Sequence, residues 1–169
     1  MAQLQATKTE ANLLRSFAEE AQLNRYHLAY ARQAEMEGYP QVSRLFRAIA
    51  ESATVHANAA LRVLGAIRDT RANLQGAIAA ETRAGQEMYP EMVQLADQEG
   101  IRTARVAFDY ARQVERIHAD LLRYSLEHLD ELPSGEYYVC PVCGNTVLGR
   151  PPDVCPICGT PGSAWMRVV

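Results

Sequence analysis

No stretch of these 169 residues approaches the roughly 18 consecutive apolar positions that a membrane-spanning helix requires, so no membrane association is expected. The opening MAQLQATKTE is polar and has nothing of the apolar core of a signal peptide, which makes a cytoplasmic, reducing compartment the expectation. A basic block is also missing. With net charge −3 and a pI near 5.8, the chain offers no electrostatic reason to bind nucleic acid or an anionic membrane. Arg far outnumbers Lys, and with no basic block Arg15, Arg25, Arg32, Arg44 and Arg47 read as solvated helix faces. Residues 7–131 contain no cysteine and two prolines, Pro40 and Pro90, so nothing there is stapled by disulfides and long helices are open to it.

What that region does contain is Ala, Leu, Arg, Glu and Gln, all good helix formers. Apolar residues recur at helical spacing, as in Leu14, Phe17, Ala18, Ala21 and Leu28, and in Val106, Phe108, Ala111, Val114, Ile117 and Leu121. Gly38-Tyr39-Pro40 ends a first helix, Gly65 to Thr70 a second, Gly100 a third, and Leu132-Pro133-Ser134-Gly135 a fourth. Pro90 lies inside the third and is expected to kink it. Four helices of about 25 residues read as a four-helix bundle.

The helical region repeats itself. Asn12-Leu13, Phe17-Ala18 and Glu20 match Asn73-Leu74, Ile78-Ala79 and Glu81. Glu37-Gly38, Phe46 and Val55-His56-Ala57 match Glu99-Gly100, Phe108 and Ile117-His118-Ala119. The bundle is thus a duplicated helix pair.

From Glu136 onward the composition turns to Pro, Gly, Cys, Val and Tyr. This segment is too short to hold a core unaided and needs a metal. Cys140-Pro-Val-Cys143-Gly and Cys155-Pro-Ile-Cys158-Gly supply one. A Cys-x-x-Cys-Gly turn aims two thiolates at one ion while backbone N–H groups bond to the sulfurs, and Gly permits the positive φ of the turn. Two turns make tetrahedral S₄ coordination, suited to iron or zinc; two disulfides are the alternative that a reducing compartment argues against.

Glu115 and His118 lie three apart on the fourth helix and share a face. Glu-x-x-His, with Glu residues from neighbouring helices, is how ferritin-like bundles hold two metal ions. Glu20 and Glu81 occupy equivalent places in the repeat on otherwise apolar faces, where a carboxylate is costly unless paired or metal-bound. His56 is the repeat mate of His118, but Ala53 stands opposite Glu115.

The chain resembles the rubrerythrins, a family that joins a ferritin-like di-iron bundle to a C-terminal rubredoxin-like domain. The resemblance covers essentially the whole chain. It is carried by Phe17-Ala18-Glu19-Glu20-Ala21-Gln22, Asn24-Arg25, Glu37-Gly38, His56-Ala57, Glu87-Met88-Tyr89-Pro90, Glu115-Arg116-Ile117-His118 and the cysteine knuckles. It implies a mainly α fold, with a ferritin-like four-helix bundle over residues 1–133 and a small rubredoxin-like β and knuckle metal domain over 134–169. Tyr137, Tyr138 and Trp165 supply a small aromatic core like that of rubredoxins, which favours iron over zinc at the four cysteines.

The family's role implies an oxidoreductase that reduces hydrogen peroxide or a related small oxidant. Electrons would pass from an external donor reductase through one iron at Cys140, Cys143, Cys155 and Cys158 to the bundle. There Glu20 and His56 would serve one metal, Glu81 and His118 a second, and Glu115 would bridge them. Tyr89 and His27 would assist as hydrogen-bonding catalytic residues, and the assembly would be a homodimer, domain-swapped or head-to-tail.

Three positions depart from the family pattern. Ala53 replaces a bridging Glu, Ala84 replaces the Glu that exchanges with histidine, and His27 stands where Tyr is usual. The bundle is therefore expected to hold one or two irons or another divalent metal, with zinc the alternative at either site. His27 either ligates a rebuilt site or hydrogen-bonds a buried partner. An electron carrier or metal-binding protein with a non-catalytic bundle and a zinc-knuckled structural protein are the rival readings.

Overall fold

The structure, a computed structural model, describes residues 4–168 and forms two compact units, one running to Arg68 and the other beginning at Asp69. It is mainly helical, with a small C-terminal sheet and a four-cysteine knuckle. The domain boundary expected at 133/134 falls inside the second unit, between its last helix and its first strand.

The first unit is a helical hairpin of α1 (Lys8–Met36) and α2 (Pro40–Leu64). Thr7 caps α1, its Oγ1 accepting the Glu10 N–H at 3.1 Å. Gly38, at φ +82°, turns the chain between the helices, and Pro40 opens α2 where its missing N–H has no helical partner to lose. Gly65 in the left-handed region stops α2. Ala50, Ala53, Ala57 and Ala60 form a buried small-residue stripe on α2, and Ala31 and Ala34 are buried on α1. Asn24 Nδ2 ties the helices by donating to Ala50 O and Thr54 Oγ1, each at 2.9 Å.

The second unit starts with α3 (Thr70–Arg83), capped by Asp69, whose side chain accepts the Ala72 N–H at 2.9 Å. A π-helical segment, Ala84–Met88, follows, and α4 (Tyr89–Gln98) continues from it. The kink expected at Pro90 is thus resolved differently. Tyr89 N–H reaches back five residues to Ala84 O, and Pro90 sits in the first turn of α4. The wider π turn spares the Pro90 ring its clash with a carbonyl four residues back. The repeat carried the signal: Glu20 and Glu81 are 61 positions apart, whereas Glu37 and Glu99 are 62 apart. The second copy has one extra residue, and one extra residue per turn is what a π segment absorbs.

Gly85, buried in that segment, lets α5 (Arg102–Glu127) approach; a Cβ there would lie 3.2 Å from Arg116 Cγ. The α5 helix ends at Glu127, ahead of the Leu132–Gly135 breaker. Then come β1 (Tyr137–Val139), β2 (Thr146–Leu148) and β3 (Met166–Val168), an antiparallel sheet ordered β2-β1-β3. Tyr138 pairs with Val147, and Val139 with Thr146.

Side chains alternate faces along a strand, and directly opposed residues share one. Tyr138 and Val147 therefore join the knuckle core around Cys140, Cys155 and Trp165. Tyr137 and Thr146 fall on the other face, beside α5. This corrects the expectation that Tyr137 belongs to the aromatic core: Tyr137 lines a cleft instead.

Candidate metal centres

The two knuckles are built alike. Cys140 N–H donates to Asn145 O at 2.8 Å and Gly144 N–H to Cys140 O at 3.0 Å. Cys155 N–H and Gly159 N–H repeat the pattern at 2.8 and 3.0 Å. Gly144 and Gly159 take φ of +82° and +80°, a region that a Cβ disfavours. All four cysteines are free thiols with sulfurs within 4.8 Å of one another. Cys140 Sγ lies 3.5 Å from Cys158 Sγ, and Cys143 Sγ lies 3.6 Å from Cys155 Sγ. Those distances are far beyond a disulfide and near the edge of about 3.8 Å that a tetrahedral ion with metal–sulfur bonds of about 2.3 Å requires. The donor set fits iron or zinc.

Burial pushes the Cys140 thiol up, but the backbone N–H groups of Cys143 and Val142 and the Cys158 side chain outweigh it, bringing it to about 6. Burial likewise raises Cys155, and the N–H groups of Cys158 and Ile157 carry it below the ordinary range. Cys143 is raised, by burial and by its thiol neighbours. The knuckle thus stabilises thiolate at Cys140 and Cys155 before any ion arrives.

A second cluster lies on the helices of the same unit. Glu81 from α3 and Glu115 and His118 from α5 each offer a ligand atom, all within 4.8 Å of one another. His118 Nδ1 is 3.0 Å from Glu115 Oε2, and Glu81 hydrogen-bonds Glu115. Burial, that hydrogen bond and the Glu115 charge raise the Glu81 carboxyl to about 7, against a lowering by His118. Two carboxylates this close need a shared proton or a cation between them. Oxygen and imidazole donors suit a divalent ion such as iron or zinc.

Tyr89 faces this cluster, its phenol raised by burial and by the charges of Glu115 and Glu81, so it stays a hydrogen-bond donor at neutral pH. Glu81 and His118 also line a cleft of about 290 Å³ with Leu121, Tyr137 and Thr146.

In the first unit, Glu20 Oε1 lies 3.2 Å from His56 Nδ1. Ala53 is buried and offers no ligand. His27 stacks on Phe46 at 6.1 Å and meets Tyr30 edge-on at 6.3 Å. Its Nδ1 is buried with no hydrogen-bond partner among the described residues, so the buried partner expected for it is not found at that atom.

Thr146 escaped the sequence reading altogether. Its Oγ1 lies 3.0 Å from His118 Nε2, across 28 positions of sequence. No motif marks it.

The rubrerythrin family model matches residues 11–126. The chain belongs to the rubrerythrin family. It is 35% identical to rubrerythrin-2 of Clostridium acetobutylicum over 88% of this chain and 91% of that one. Nigerythrin of Nitratidesulfovibrio vulgaris is 28% identical, over 90% and 83% of the two chains. A solved structure of mixed-valence nigerythrin covers 99% of this chain and 91% of its own, with TM-score 0.59 and 24% identity. That likeness concerns the fold. This is a rubrerythrin-type iron protein, with a four-cysteine group and a Glu/His group where the family carries its iron. Among its described residues, no helix is long and apolar enough to cross a membrane.

Proposed function

We propose that this protein is a peroxide-reducing oxidoreductase whose electrons enter at the four-cysteine site and are used at the helix cluster. The observation that carries the reading is the convergence of Glu81, Glu115 and His118 in the unit that also holds Cys140, Cys143, Cys155 and Cys158. Glu81, Glu115 and His118 would hold the bundle ion, and the four thiolates the other. Iron, when bound at these sites, supplies one-electron redox chemistry. Tyr89 would donate its O–H toward a small oxidant at the cluster, and the cleft beside His118 would admit that oxidant. Glu20 and His56 would hold the remaining bundle ion. Exposed Leu14, Leu23, Leu45, Val55 and Val63 support a homodimer, domain-swapped or head-to-tail. An external reductase would supply electrons in the cytoplasm.

Metal analysis and rapid mixing test this together. About three irons per chain, with reduced protein reoxidised by peroxide within seconds, is the expected result. A chain carrying only the knuckle ion, or one indifferent to peroxide, would overturn it. Ala53, buried where the resemblance places a bridging Glu, favours a second reading: an electron carrier whose bundle is not catalytic.

A further inference from the structure

Thr146 Oγ1 makes two contacts, and a hydroxyl has only one proton to give. It donates that proton to Gly144 O at 3.1 Å, within the first knuckle. Toward His118 Nε2, at 3.0 Å, the same oxygen is left to accept. The imidazole must then carry a proton on Nε2. In the neutral ring this leaves the Nδ1 lone pair facing Glu115 Oε2 at 3.0 Å, an approach of two acceptors that a cation between them relieves.

From these contacts we infer that Thr146 is a positioning residue for the bundle metal site. It fixes His118 with Nε2 protonated and Nδ1 presented as the metal ligand, so that the cysteine knuckle sets the donor atom of a site on the helices of its own chain.

The placement is a consequence of the sheet. Thr146 pairs with Val139 at one end of β2, and strand alternation turns its side chain toward α5 while Val147 enters the knuckle core. Gly144, whose carbonyl takes the hydroxyl proton, is the glycine of the first Cys-x-x-Cys-Gly turn. Its Cα lies close enough to α5 that a Cβ would stand 3.9 Å from Val114 Cγ1. A ligating histidine ordinarily donates its second ring N–H to an acceptor that fixes its tautomer, and losing that acceptor weakens metal binding tenfold to a hundredfold. Here the acceptor comes from the other metal module.

The inference rests on the reading of Glu81, Glu115 and His118 as a metal site, and the test separates the two. The full chain, ¹⁵N-labelled with zinc in the knuckle, is loaded with zinc at the bundle cluster as well, so that Nδ1 meets the ion and not a bare Glu115 carboxylate. His118 should show its proton on Nε2. Ferrous ion is then titrated anaerobically into the full chain with iron in the knuckle. Thr146→Val should bind it about tenfold to a hundredfold more weakly at the bundle and lose the single His118 tautomer, and Thr146→Ser should restore both. The visible absorption of the knuckle iron reports whether the module stays folded. Should Thr146→Val disturb it, the wild-type tautomer decides.

A wild-type His118 protonated on Nδ1 overturns the inference. So does a folded Thr146→Val chain with unchanged ferrous affinity and an unchanged His118 spectrum. A wild-type chain that takes up no ferrous ion at the cluster overturns the metal reading itself, whichever tautomer His118 shows.

Discussion

Glu81 and Glu115 come from different helices, α3 and α5, and share a hydrogen bond beside His118. No arginine or lysine is among the groups that set the Glu81 ionisation, so the Glu115 charge beside it is met by a proton retained on Glu81. A divalent cation would replace that proton. Glu115→Ala should therefore lower bundle metal affinity at least tenfold, since it removes a donor and not merely its support. The four-cysteine ion should remain. Metal stoichiometry by mass spectrometry after dialysis checks both halves.

The same retained proton makes metal-free stability depend on pH. Glu81 holds its proton up to about pH 7 in the folded chain but only to about 4.5 as an ordinary carboxyl. Between those values the folded state binds the extra proton, so stability falls as pH rises from about 4.5 to about 7. Melting temperatures of the metal-free chain at pH 5 and pH 7.5 should show it, and Glu81→Gln should flatten the difference. Metal binding has the opposite slope. It must expel the proton, so affinity climbs through the same window, and an indicator dye should register proton release.

Cys143→Ser should abolish the knuckle ion and unfold the module around it. The sheet has three strands of three residues, and its core consists largely of the ligands themselves with Trp165. Without the ion nothing of comparable size holds it. Visible absorption from the knuckle iron and the Trp165 fluorescence should both change, while far-ultraviolet circular dichroism keeps the helical signal of α1 to α5.

Gly85 offers a test of the π segment. A methyl group there would press on Arg116 Cγ at 3.2 Å and on two backbone atoms of α5 at 3.4 Å. Gly85→Ala gains the helical preference of alanine, about 1 kcal/mol, against that crowding, so its net effect should be small. Gly85→Leu has no such escape and should destabilise by about 1–3 kcal/mol through overpacking. Thermal melts of the two variants distinguish them, and the leucine variant should also lose bundle metal, since Arg116 adjoins Glu115.

Much of this protein was determined locally. The Cys-Pro-x-Cys-Gly turns specify their own geometry, because the hydrogen bonds and the positive φ at Gly144 and Gly159 lie within five or six residues. Gly38, Gly65 and Gly100 stop or turn helices for the same reason, and Glu115 meets His118 because a helix places residues three apart on one face. The pairing of Glu20 with His56 is what the family resemblance implied, and the two side chains meet at 3.2 Å.

Other features needed the folded chain. The one-residue shift between repeat halves stood in the sequence, but an extra residue can become a loop, a bulge or a π turn. Packing of Gly85 on Arg116, with Pro90 four residues beyond Gln86, fits the last of these. Tyr137 was assigned to the wrong environment because adjacent tyrosines look alike until strand register sends one inward and the other toward α5. Thr146 was invisible for a deeper reason. Its role depends on a short sheet docking against a helix 28 positions earlier, and only tertiary packing decides which side chain then meets His118.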